Sequence, residues 1–194
     1  MAKPSLLPIA KVKLPSDLKK VKNGDLPADL LRSIKPSGRM HHRAAIGWGV
    51  LQDLASLEKL KLVHVGDYRP LDQQLSLFMQ RMKPFPNAKV QEQTTRKFDG
   101  KTWYLHVGAP VATPATSNHG WGLAIDAALA LPNGDVVSIT TKPKVASRSG
   151  LDFLLEFAEP CGFSWELQSE PWHIRWVVGD ELPALVIKHL ASKA

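Results

Sequence analysis

The sequence predicts an α+β fold: a small antiparallel sheet with helices packed on one face. Three observations lead there. Apolar residues recur at three- and four-residue steps in several separate segments, each long enough for an amphipathic helix. Short runs rich in β-branched and aromatic residues lie among them, two of which bracket the pair Asp99–Gly100, a hairpin signal. Helical and extended segments mix without the strict alternation that a parallel sheet requires. The length of 194 residues, with 44% hydrophobic and 22% charged, is ordinary for a globular domain with a core of normal size.

Residues 1–40 carry Pro4, Pro8, Pro15, Pro27 and Pro36 among many lysines. They predict a basic, proline-rich N-terminal arm with one short helix at "PADLLRSI", where Pro27 suits the first helical position. The rest, 41–194, forms the second unit. Ala45, Trp48, Leu51, Leu54, Ala55 and Leu57 mark one apolar face of a helix from about His42 to Leu62. In "LVHVGDYR", Leu62, Val63 and Val65 predict a strand ending at Gly66. Pro70 opens a second helix, "PLDQQLSLFMQRM", with Leu71, Leu75, Phe78 and Met79 on its buried face. Residues 83–118 are polar and proline-containing, and within them "RKFDGKTWYL" is the hairpin. "GLAIDAALAL" is a strand, turned at Pro132, Asn133 and Gly134. "LDFLLEFAEPCGF" is a third helix ending near Pro160 and Gly162, "WHIRWVVG" a last strand, and "LPALVIKHLASKA" a C-terminal helix. No internal repeat is visible.

The net charge is +7 and the isoelectric point about 9.6. Much of the excess lies in residues 1–43, in Lys3, Lys11, Lys13, Lys19, Lys20, Lys22, Arg32, Lys35, Arg39 and Arg43. Such a charge suits a polyanionic partner, whether nucleic acid, an anionic membrane or an acidic wall polymer, and it also suits a plain basic enzyme. No run approaches the ~18 apolar residues that a membrane-spanning helix needs, so no membrane insertion is expected. The N-terminal apolar stretch, broken by Pro4 and Pro8, is too short for a secretory signal, which predicts synthesis in the cytoplasm. The single cysteine, Cys161, permits no internal disulfide, and its apolar neighbours in "FAEPCGF" make it a small core residue.

The chemistry concentrates in "TSNHGWGLAIDAAL", Thr116–Leu129. Asp126 interrupts an apolar strand, where a carboxylate needs hydrogen bonds or a counter-charge. A bound cation supplies one. His119, in the glycine-punctuated loop before the strand, can bend back toward it as a second ligand. The third candidate is His173 in "SEPWHIRW". Strand alternation puts Trp172, Ile174 and Trp176 on one face and His173 and Arg175 on the other. Glu170 lies three residues before His173, at the start of the strand. Two histidines and an aspartate leaving one position open, with a glutamate nearby, is a hydrolase arrangement.

These residues also carry a resemblance. "SNHGWGLAID" resembles the Ser-x-His-x-x-Gly-x-Ala-x-Asp motif of the zinc D-alanyl-D-alanine carboxypeptidase/L-alanyl-D-glutamate endopeptidase family, a group that includes lysostaphin-type peptidases and hedgehog domains. "EPWHIRW" is similar to its second motif, Glu-x-x-His before an aromatic strand, and "GDYRPLDQQ" to its upstream Gly-Tyr-Arg-x-x-x-x-Gln element. The three follow the family order over roughly 60–180. "NGDLPADLL" and the spacer "KFDGKTWY…GAPVATPATSNHGWG" look most like peptidase domains of actinobacterial phage endolysins.

The resemblance implies a zinc cleft on the face of the sheet opposite the helices. It implies His119, Asp126 and His173 as Zn2+ ligands and Glu170 as catalytic base. Arg69 would stabilise the oxyanion or hold a substrate carboxylate, and Ser117 and Gln74 would contact substrate. Ile174 and Asp67 depart from the family pattern, with consequences for the pocket and none for the ligands. The expected function is hydrolysis of peptidoglycan stem peptides by a monomeric phage endolysin that acts on the wall after release, its basic arm on anionic wall polymers and no nucleic acid involved. The alternatives are a bacterial D-alanyl-D-alanine carboxypeptidase and a zinc-retaining wall-binding module without catalysis. His41, His42, His64, His106 and His189 receive no role. Trp121 is divided between packing and substrate, and Arg175 is a further substrate candidate.

Overall fold

The computed structural model describes residues 6–89, 92–142 and 148–193. Lys3 and Pro4 of the arm lie outside the described residues. The elements are β1 (Leu31–Ser33), β2 (Arg39–His41), α1 (His42–Leu57), β3 (Leu62–Gly66), α2 (Leu71–Arg81), β4 (Met82–Lys83), β5 (Thr95–Phe98), β6 (Lys101–Leu105), β7 (Ala124–Ala130), β8 (Val136–Ser138), α3 (Arg148–Phe157), β9 (Phe163–Trp165), β10 (His173–Trp176) and α4 (Ala184–Ala191). The α+β expectation holds. The central sheet runs β3-β7-β10-β9, with β8 also on β7, and every pairing in it is antiparallel.

Strand β7 organises this sheet. Ile125, Ala127 and Leu129 turn to one face and join Trp48 and Leu51 of α1 and Ile174 and Trp176 of β10 in the main core. Side chains alternate along a strand, so Asp126 and His173 turn to the other face. Trp48, Trp165 and Trp176 are fully buried in this core, where truncating one such ring costs about 3–5 kcal/mol.

The N-terminal segment is part of that core. Leu7 and Leu18 are buried in it, and backbone bridges join Ile9 to Trp165 and Lys13 to Val178. The expected helix at "PADLLRSI" is a single 3₁₀ turn, Ala28–Leu30, which runs straight into β1. So short a segment cannot repay helix nucleation, and pairing Leu31–Ser33 with Arg39–His41 satisfies its backbone instead. Helix α1 stops at Leu57 rather than near Leu62, because Lys59 takes a left-handed conformation with φ 59°. On α2 the buried residues are Gln74 and Phe78, whereas Met79 is exposed.

The hairpin forms as expected, with Asp99 and Gly100 both at positive φ. It is part of a second, three-stranded sheet, β4-β6-β5, with a small core of its own. There Phe78 of α2 meets Phe98 and Trp103 edge-on, each with ring centroids 5.2 Å apart. This sheet and the loop after it face the open side of β7.

Candidate metal centre

The register of the central sheet builds the site. Asp126 of β7 is paired with His173 of β10 on one edge and with Gly66 of β3 on the other. Directly opposed side chains on one face lie in contact range. His173 Nδ1 lies 2.9 Å from Asp126 Oδ1. At position 66 a Cβ would run into the Asp126 carboxylate, so glycine is needed there for space.

His119 reaches the same carboxylate from the loop before β7. It rides on a 3₁₀ turn, Asn118–Trp121, whose first peptide is capped by the Ser117 hydroxyl accepting from His119 N at 3.2 Å. Gly122 ends the turn at φ 64°, where a Cβ would collide with the backbone of His41. The N-terminal segment braces the turn from outside: Asn23 Nδ2 donates to Ser117 O at 2.7 Å, and Gly24 N to Gly120 O at 2.8 Å. His119 Nδ1 donates to the Asp67 carbonyl at 2.8 Å, which leaves Nε2 facing Asp126 Oδ2 at 3.4 Å.

His119, Asp126 and His173 each offer one donor atom, and all three atoms lie within 4.8 Å of one another. That spacing fits a single divalent ion. The outer nitrogen of each ring is also fixed, as metal-ligating histidines require. For His119 the acceptor is Asp67 O, and for His173 it is Glu166, with His173 Nε2 at 3.3 Å from Glu166 Oε2. Glu166 is anchored in turn by Asn118 Nδ2 at 3.1 Å and by Arg175 Nη1 at 3.6 Å. Sequence reasoning missed Glu166; its only signal is an acid directly after the apolar strand β9.

Burial would lower the pKa of His173, but hydrogen bonds to Asp126 and Glu166 and the charges of Asp126 and Glu170 outweigh it and raise the pKa to about 9. Burial would likewise raise the Asp126 carboxyl, yet the hydrogen bonds and charges of His119 and His173 hold it far below the ordinary range. The hydrogen bond from His173 holds Glu166 down at about 2 against its partial burial, with Arg175 adding to the effect.

The three donor residues open onto a cleft of about 470 Å³. Arg69, Ser117 and Glu170 line it as well. The backbone carbonyl of Glu170 accepts from His173 N at 3.0 Å. Among the described residues its carboxylate makes no hydrogen bond or ion pair, in contrast to Glu166. Gln74 is not in the cleft wall. It is buried, with Nε2 donating to Asn23 Oδ1 and Arg69 O, and Oε1 accepting from Ala115 N at 3.1 Å. Its amide is spent on holding the loops that carry Arg69 and His119, because α2 turns that face inward. Arg175 also turns away from substrate, bonding Ala10 O, Trp165 O and Glu166. Trp121 packs on the main core and rims a separate hollow beside Asn23 and Gly24.

A second group of the same composition lies elsewhere. Asp17 Oδ1 faces His41 Nε2 at 3.1 Å, and Asp17 Oδ2 faces His42 Nε2 at 2.8 Å. Here the outer nitrogen of the fully buried His41 has no partner, so the bracing seen at the first site is missing. Asp17, His41 and His42 clamp the N-terminal segment to the start of α1.

Comparison with known proteins agrees with this geometry. The family profile described as VanY: D-alanyl-D-alanine carboxypeptidase matches residues 37–180, which include all three donors. The chain belongs to this family. Among solved structures, this VanY-family chain is similar to the vancomycin-resistance D,D-pentapeptidase VanY of a VanB-type cassette in complex with Zn(II), with 18% identity, a TM-score of 0.51, and 78% of this chain and 82% of that one covered. It is similar to VanYB in complex with D-alanine-D-alanine, at 17% identity and a TM-score of 0.51 over 87% of this chain and 93% of that one. For the LD-carboxypeptidase LdcB the values are 19%, 0.53, 88% and 76%. At these identities the likeness is one of VanY-type fold. Compared with curated protein sequences, the chain matches none.

Proposed function

We propose that this VanY-family chain is a zinc-dependent peptidase that hydrolyses an amide bond in peptidoglycan stem peptides. The observation that carries this is the convergence of His119, Asp126 and His173 in a cleft whose wall includes Glu170. The similar structures give further support: one holds Zn(II), one holds D-alanine-D-alanine, and one is described for peptidoglycan recognition.

His119, Asp126 and His173 would hold the zinc ion, which would supply Lewis acidity for a carbonyl and a water. The chain supplies the rest. Glu170 takes the proton of the attacking water and returns it to the leaving amine, a task for which a carboxylate with no hydrogen bond or ion pair among the described residues is suited. Glu166 cannot do this, because its oxygens are committed to His173, Asn118 and Arg175. Arg69 directs fixed donors at the negative charge that develops on the carbonyl oxygen, or at a substrate carboxylate. Ser117 lines the cleft while capping the His119 turn and offers its hydroxyl to the bound peptide.

Cleavage of a terminal D-alanine and cleavage inside the stem peptide are two outcomes of one chemistry. A lytic role in a bacteriophage, after release to the wall, extends the proposal. Its support is the resemblance of the spacer before "SNHGWG", together with a net charge of +7 for anionic wall polymers. Purified protein acting on cell walls and on stem peptide, with chelator and with zinc restored, tests the proposal, and mass spectrometry of the new termini names the bond. Zinc-dependent release of new amines, lost in Glu170→Gln, is expected. Wall binding without any released amine would make the chain a binding module.

A further inference from the structure

Besides Glu166 and Glu170, the cleft is lined by basic side chains. Arg81 at the end of α2 and Arg96 on β5 line it together with Arg69. The arginines found in ion pairs among the described residues are Arg43, Arg148 and Arg175, so Arg69, Arg81 and Arg96 form none there. Arg81 and Arg96 are nevertheless held in place. Arg96 Nε donates to Val111 O at 2.9 Å and Nη1 to Thr95 O at 2.9 Å. Arg81 Nη1 donates to Ala109 O at 3.2 Å. A guanidinium has five N–H donors, so both keep Nη2 for a ligand. The cations also feel one another: burial lowers the pKa of Arg69 and the charge of Arg81 adds to that, against the opposing charges of Asp126 and Asp67. Neither Arg81 nor Arg96 has a carboxylate partner among the described residues, and an anion that arrives with the ligand would stabilise them. Arg69 alone serves the reacting end of a peptide, which leaves Arg81 and Arg96 without a role in the chemistry.

We infer that Arg81 and Arg96 form a second anion subsite, which binds a carboxylate of the peptide remote from the bond that is cut. Resting on the peptidase reading above, this makes the preferred substrate a stem peptide whose glutamyl residue keeps a free carboxylate. The subsite sits where the second sheet and the 109–111 loop meet, so the hairpin of β5 and β6 serves selection rather than chemistry. A carboxylate between two guanidinium groups gains charge-assisted bonds that a carboxamide in the same place does not.

The test compares two stem peptides that differ only in that group, free carboxylate or carboxamide, cleaved by the zinc-loaded protein. The acid is expected to have a kcat/KM about tenfold higher, through KM. R81Q and R96Q each narrow that ratio, and the double variant brings it to about one. R81K and R96K keep the charge and part of the preference, and thermal melting of each variant reports on folding. Equal cleavage of both peptides by the wild-type protein, or an unchanged ratio in the double variant, overturns the subsite and leaves the peptidase reading standing. If neither peptide is cut, it is the peptidase reading that fails. Calorimetric binding of the two peptides to the zinc-loaded protein then decides the subsite, with a preference for the acid supporting it and equal affinities overturning it.

Discussion

Glu166 stands on the far side of the His173 ring from Asp126, its Oε2 at 3.3 Å from Nε2, so that one imidazole spans two carboxylates. A ring held at both nitrogens cannot swing away from the donor triangle. Removing Glu166 frees it without touching a donor. Glu166→Ala is expected to weaken zinc affinity by about 10- to 100-fold, with Glu166→Gln between it and the parent. Competition with a chelator of known affinity measures this, and unchanged affinity would remove Glu166 from the site.

The same ring sets a proton count. In the metal-free protein His173 is raised to about 9, so near neutral pH it carries a proton on the nitrogen that faces Asp126. A metal ion must displace that proton. Zinc binding at pH 7–8 is expected to release about one proton from this residue, read by calorimetry in buffers of different ionisation enthalpy. Affinity should rise with pH until about 9. The stability of the metal-free protein moves the other way. A histidine whose folded pKa lies above its unfolded value stabilises most below about 6.5, and this contribution is lost as pH climbs through about 9. Melting temperatures of the metal-free protein that rise across that window would contradict the assignment.

Gly66 tests the site from the opposite edge of β7. A methyl group there meets the Asp126 carboxylate, the movable end of a side chain, so the strand need not break. The carboxylate must rotate out of the donor triangle. Gly66→Ala is expected to keep the fold while losing most zinc binding and activity. Gly134→Ala is a control: a Cβ there meets nothing within 4 Å, although its φ of 92° strains any side chain. Gly66→Ala with normal zinc content would mean that Asp126 is not a ligand.

How much of this was legible beforehand follows from what each feature depends on. The three donors were legible because alternation in "AIDAALA" and "HIRW" shows which side chains leave the core, and because a lone carboxylate in an apolar strand demands a partner. The pairing that brings Asp126 opposite His173 depends on register between segments 47 residues apart, which the family motifs supplied and the periodicity did not. Glu166 was hidden because it follows a strand whose residues, Phe163–Trp165, are buried on both faces and show no alternation. Gln74 entered through the resemblance alone, and no pattern in the sequence shows that the N-terminal segment covers it and that its amide bonds Asn23, Arg69 and Ala115. His41 and His42 carry no pattern at all, and only the path of residues 6–24 over the start of α1 gives them Asp17 as a partner.

That clamp yields the last prediction. Burial lowers the pKa of His41 to about 4, with the charge of Asp17 only partly opposing, so the ring is neutral in the folded protein. A histidine with a depressed folded pKa contributes stability that is present above about 6.5 and is lost as pH falls toward 4. Asp17 is held low by its hydrogen bonds to His42 and His41 despite burial, and it adds a loss at still lower pH. For His41, whose side chain is fully buried, the change between pH 7 and pH 4 amounts to about 3 kcal/mol. His173 contributes no pH dependence there, because its own loss lies above 6.5. Metal-free protein should therefore be most stable near pH 6.5 and decline on both sides. Denaturant midpoints between pH 4 and 7 measure the acid limb. His41→Gln, whose amide can still donate to Asp17, is expected to lower stability overall while flattening that limb, and an acid limb as steep as that of the parent would show that His41 is not the group being protonated.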